Sequence, residues 1–95
     1  MLHTVSHSFY QFDSAALLNT VTPNDVILLL QDGVTMAMAQ NEALIQLKQS
    51  GAMLYALRED VAARGLLSLI TSDIELVDFQ GFVDLTAAHY PQMTW

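Results

Sequence analysis

The chain of 95 residues is 53% hydrophobic and 14% charged, with 3 Lys+Arg against 10 Asp+Glu and a formal net charge of −7. Its Lys and Arg side chains, Lys48, Arg58 and Arg64, are dispersed, which argues against unaided binding to nucleic acid or to an anionic membrane surface. The absence of cysteine excludes a disulfide framework, a thiolate nucleophile, a Cys-based metal site and a persulfide on the chain itself.

Met1–Val5 reads as a first strand, and Ser6–Phe12 as a polar and aromatic connection. Asp13 or Ser14 caps a short helix to about Thr20, whose apolar face is Ala15, Ala16, Leu17 and Leu18. Thr22-Pro23-Asn24 signals a turn into the strand Asp25–Gln31. That strand has no polar member between Val26 and Leu30, the pattern of a central strand buried on both faces of a parallel sheet. Asp32-Gly33 supplies the turn at its carboxyl end, where open α/β folds place their working sites. The expected roles are structural: turn or capping hydrogen bonds for Asp32, and a backbone conformation other residues resist for Gly33.

Val34–Ala39, rich in Met and Ala, is expected to be helical. A second helix, capped by Asn41, runs to Gln49, with Ala43, Leu44, Leu47 and, one turn earlier, Gln40 on related faces. Ser50-Gly51 ends it, and Ala52–Leu57 is a third buried strand. Glu59–Arg64 forms a short helix closed by Gly65, with Asp60 and Arg64 in the favourable i,i+4 order. Leu66–Ile70 fits either a helical continuation or a strand. After the break at Thr71-Ser72-Asp73, Ile74–Val77 is a further strand, and Asp78 caps a last helix to about His89. Tyr90-Pro91 stops that helix. The alternating order predicts a small three-layer α/β fold: an open parallel sheet of four or five strands with helices on both faces. One domain over residues 1–95 is expected.

A domain of this size cannot hide so many apolar side chains, so an exposed patch and an oligomer are expected. The longest apolar run is well below the roughly 18–20 residues of a spanning helix. Met1–His7 also lacks the positive region that opens a signal peptide, which makes a cytoplasmic location the expectation.

Acids follow three strands: Asp32, Glu59-Asp60 and Asp78. Such residues can hold a metal or accept a phosphoryl group, as in receiver domains. Capping of the helices that follow is the better reading, because the position after the first strand holds Ser6-His7-Ser8 and not an acidic pair. His3 and His7 do not assemble as ligands, since a spacing of four aligns side chains on a helix and not on a strand entering a loop, and His89 falls at a helix carboxyl end, where an imidazole suits the dipole. Gly-rich phosphate loops are missing, so no cofactor, metal or catalytic residue is assigned. The tail is the most unusual surface element: Tyr90, Met93 and Trp95 are residue types enriched in interface cores. They are the candidate interface, with folding back of Trp95 on its own domain an equal alternative.

Several segments carry a resemblance along the whole chain: Met1-Leu2-His3-Thr4, Leu28–Val34, Tyr55-Ala56-Leu57 with Glu59-Asp60, Ala63-Arg64-Gly65-Leu66, Phe82–Thr86 and Pro91–Trp95. In order and spacing they resemble the DsrH-type family of sulfur-relay subunits. The resemblance implies a flavodoxin-like, DsrE/DsrF/DsrH-like fold and assembly with TusC-like and TusD-like partners as a dimer of heterotrimers. It further implies a relay of persulfide sulfur from TusA toward TusE, for 2-thiolation of the wobble uridine in tRNA. In that relay the sulfur-carrying cysteine belongs to TusD. Some DsrH relatives have a cysteine in an early loop; this sequence has none, which implies a non-catalytic subunit. The alternative is a stand-alone receiver-like or flavodoxin-like domain that uses its strand-end carboxylates or binds a ligand.

Overall fold

Val26–Leu29, fully buried, is the middle strand (β2) of a five-stranded, all-parallel sheet in the order β4-β3-β2-β1-β5. The other strands are β1 (Leu2–Val5), β3 (Met53–Leu57), β4 (Glu75–Val77) and β5 (Gln92–Thr94). The computed structural model describes residues 1–39 and 41–95; Gln40, which the helical spacing places one turn before Ala43 and Leu44, lies outside the described residues.

Register sorts the strand residues into two faces. His3 pairs with Ile27 and Ile27 with Leu54, and this face carries the larger core of Val5, Leu29, Ala56 and their neighbours. It is covered by Leu17 of α1 (Ser14–Thr20), Leu44 and Leu47 of α2 (Glu42–Gln49), and Val61 of α3 (Arg58–Ala63). Leu2 pairs with Val26 and Val26 with Met53 on the other face, where Leu2, Val26 and Leu28 are buried. Its cover is Phe82 and Leu85 of α4 (Phe79–Ala88). The fold is therefore the expected α/β arrangement with helices on both faces of a parallel sheet.

The helix starts follow the expected chemistry. Asp13 accepts from the Ala16 N–H, Asn41 from the Ala43 N–H and Asp78 from the Gly81 N–H. Two segments sharpen the expectation. The helical segment expected over Val34–Ala39 is a 3-10 helix over Gln31–Ala37, starting three residues earlier and ending two earlier. Its exit is fixed by tertiary bonds: Met38 is extended and bridged to Ile70, and the Ala39 N–H donates to the Leu69 carbonyl. Leu67–Leu69 forms a second, short 3-10 helix, which resolves the ambiguity of Leu66–Ile70. The tail, read from the sequence as a candidate interface with folding back of Trp95 an equal alternative, supplies the fifth strand. Among the described residues no helix is long and apolar enough to cross a membrane.

Candidate functional site

The carboxyl end of β2 is built by close approach. The Leu30 N–H donates to the Val5 carbonyl, and a Cβ on Gly33 would lie 2.1 Å from that same oxygen. Any side chain at Gly33 therefore collides with the backbone of β1. This corrects the expected reason for the glycine, since the left-handed residue in this turn is Gln31, with φ of 49°. The Gln31 N–H donates to the Asp60 carboxylate at 2.6 Å.

Asp32 does not cap. Its Oδ1 accepts from Arg64 Nη2 at 2.9 Å and from Nε at 3.3 Å, while Arg64 Nη1 reaches only the backbone carbonyl of Asp60. The i,i+4 side-chain pair expected between Asp60 and Arg64 does not form; the Asp60 carboxylate accepts from the Gln31 amide, and the guanidinium reaches across to Asp32. The Asp32–Arg64 pair is exposed, with side-chain accessibilities of 61% and 32%, so it contributes at most about 1 kcal/mol. Asp78 is occupied as the α4 cap. Asp32, Asp60 and Asp78 thus serve the backbone and one surface arginine. Among the described residues no three His, Cys, Asp or Glu side chains are grouped to hold a metal ion.

At the opposite end of the sheet lies a network that sequence reasoning missed. His3 is completely buried; its Nε2 stands 3.0 Å from Asp25 Oδ2, and its Nδ1 is 3.1 Å from Trp95 Nε1. An indole nitrogen can only donate, so His3 Nδ1 accepts and Nε2–H donates to Asp25. Asp25 also accepts from the Thr22 N–H at 3.0 Å and from the Met1 α-ammonium at 3.2 Å. Burial opposes ionisation of Asp25, but the bonds from His3, Thr22 and the α-ammonium outweigh it and hold its pKa at about 2. An acid directly before an apolar run was the one available signal for this site. Its pairing with His3 depends on a register between strands that spacing along the chain does not display.

The three candidate interface residues separate. Trp95 turns inward: its ring lies 6.2 Å from His3 and 6.4 Å from Phe12, and its main-chain N–H donates to the Thr4 carbonyl. Tyr90 is 75% exposed and Met93 37%, so these two remain on the surface. His7 is exposed beside Ser6 and the Trp95 main-chain oxygen, and His89 ends α4. A cleft of 570 Å³ opens at the amino ends of β3 and β4, far from the strand carboxyl ends. Lys48 and Asp73 on its wall neutralise each other at 2.8 Å.

Residues 7–92 match the family model described as DsrH like protein. The chain belongs to the DsrH family. It is 47% identical over 95 residues to proteins named Protein TusB from Yersinia pestis and Yersinia pseudotuberculosis, with the whole of each chain covered. In structure this DsrH-family chain is similar to a solved protein of unknown function from Methanobacterium thermoautotrophicum, with a TM-score of 0.69 and 13% identity. That match covers 99% of this chain and 96% of the other, and it bears on the fold alone.

Proposed function

We propose that this DsrH-family chain is a non-catalytic subunit of a TusBCD-type sulfurtransferase complex, one domain over residues 1–95 that contributes surface and geometry. The observation that carries the reading is a whole-length identity of 47% to proteins named TusB in a chain with no cysteine. Sulfur moves along such relays as a persulfide, and a persulfide needs a thiol to hold it. In this reading TusC-like and TusD-like subunits complete a dimer of heterotrimers, and the TusD-like subunit carries the sulfur. TusA supplies that sulfur and TusE receives it, in the bacterial cytoplasm, for 2-thiolation of the tRNA wobble uridine. The scarcity of Lys and Arg supports a role without direct RNA contact. The exposed Tyr90 and Met93 belong to the candidate assembly surface, and Asp32 with Gly33 to the turn that shapes the strand ends.

The test is a persulfide-transfer assay with TusC-like and TusD-like subunits, run with and without this chain. Transfer is expected to require the chain, while labelled sulfur is never recovered covalently on it under non-reducing conditions. Covalent label on this subunit, or full transfer without it, would overturn the reading. The strand-end carboxylates offer a receiver-like reading little support, since Asp32, Asp60 and Asp78 are each occupied within the chain.

A further inference from the structure

The two faces of the sheet are covered unequally. Three α-helices and a 3-10 helix bury one face, whereas the other has α4 alone, and none of the residues of α4 is buried. Phe82 and Leu85 pack on the sheet, but Phe79, Val83 and Ala87 form a second stripe at i, i+4 and i+8. Phe79 is 64% exposed and Val83 42%. Met53, on the same sheet face as Val26, is 56% exposed. The charge that the last segment brings to this surface has one sign, and Lys48, on the cleft wall beside Met53, is tied to Asp73 at 2.8 Å. From Ile74 to Trp95 the chain contains Glu75, Asp78 and Asp84 and no Lys or Arg. Glu75 pairs in register with Tyr55, which packs on the α4 side, so it rims the same face.

An apolar stripe with an acidic rim restricts its occupant. A second copy docked about a two-fold axis would set this patch on itself, acids against acids, with no basic side chain on the segment to relieve them. We infer that the outer stripe of α4, with Phe79 and Val83 at its centre, docks a different subunit whose contact patch is apolar in the middle and ringed by Lys and Arg. The inference rests on the assembly proposed above and assigns to it a surface besides the one that holds Tyr90 and Met93. The apolar centre supplies affinity, and the acid rim selects the partner and orients its approach.

The test uses the full chain co-expressed with its TusC-like and TusD-like subunits. A photo-crosslinking residue placed at Phe79 is expected to capture one of those subunits, and the same residue at the exposed Ile45 of α2 to capture neither. Val83→Asp is expected to weaken the complex about tenfold, with Ile45→Asp changing it less than about twofold. Thermal melting of each variant separates lost docking from lost folding. Asp84→Lys should weaken assembly about threefold or more, and raising the ionic strength should weaken the parent complex while narrowing that difference. Crosslinks from Phe79 only to a second copy, or a complex indifferent to Val83→Asp, would overturn the inference and leave the assembly standing. Failure of the three subunits to associate at all would overturn both.

Discussion

The carboxyl and amino ends of the sheet both gather acids, and they use them differently. At the carboxyl end Asp32 meets Arg64 in the open, in a pair that water screens. At the amino end Asp25 is 9% exposed and receives bonds from a buried imidazole, a backbone amide and an ammonium group. The formal charges are comparable, but their energetic weight is set by burial and by how completely each group is bonded. A carboxylate that is conspicuous in the sequence is therefore a poor guide to the carboxylate on which the fold depends.

The largest expected effect lies at the carboxyl end and involves no charge. Gly33→Val would drive a side chain into the Val5 carbonyl, so a loss of about 3 kcal/mol or more is expected in chemical denaturation. A stable Gly33→Val protein would show that β1 and the turn separate readily. Next comes Asp25→Ala, which leaves His3 Nε2–H buried without its acceptor and should cost about 1–3 kcal/mol. The same network predicts an acid dependence. Because the folded-state pKa of Asp25 is lowered to about 2 from 3.8, its stabilisation is complete above the unfolded value and is lost as pH falls through the folded one. Denaturation midpoints between pH 5 and pH 2 should therefore drop more steeply for the parent chain than for Asp25→Ala (about one carboxylate's worth of linkage). Trp95→Phe keeps most of the ring and removes the donor to His3, for an expected cost of about 1 kcal/mol. Smallest is Asp32→Asn, expected within about 1 kcal/mol of the parent and with assembly and relay activity intact. An Asp32→Asn chain that folds and assembles but stalls the relay would reverse the comparison, giving the exposed corner the chemistry.

Much of the architecture was legible because it is local. The unbroken apolar run of β2 announced a strand buried on both faces, and Asp13, Asn41 and Asp78 marked their helices through bonds to amides two or three residues away. What escaped was non-local. Asp25 and His3 are 22 residues apart and meet only through the register of β1 on β2. Gln92–Thr94 has little strand character of its own and becomes β5 because β1 offers it an open edge. Gly33 was identified as a structural glycine, but the reason lies in a carbonyl 28 positions earlier that no local rule includes.

The pairing of β1 with β5 has a consequence for how the molecule is made. Leu2 is in register with Gln92, so β1 gains its second neighbour across nearly the full length of the chain. Closing a loop of that length costs about 4 kcal/mol in chain entropy on the logarithmic scaling, a cost that short-range contacts do not carry. A nascent chain can assemble β1 to β4 in order of synthesis, but until the tail has emerged β1 keeps a bare edge and His3 lacks its indole donor. The sheet is thus completed last beside the strand that was synthesised first, and a chain stalled shortly before its end would present an unpaired parallel edge to its surroundings.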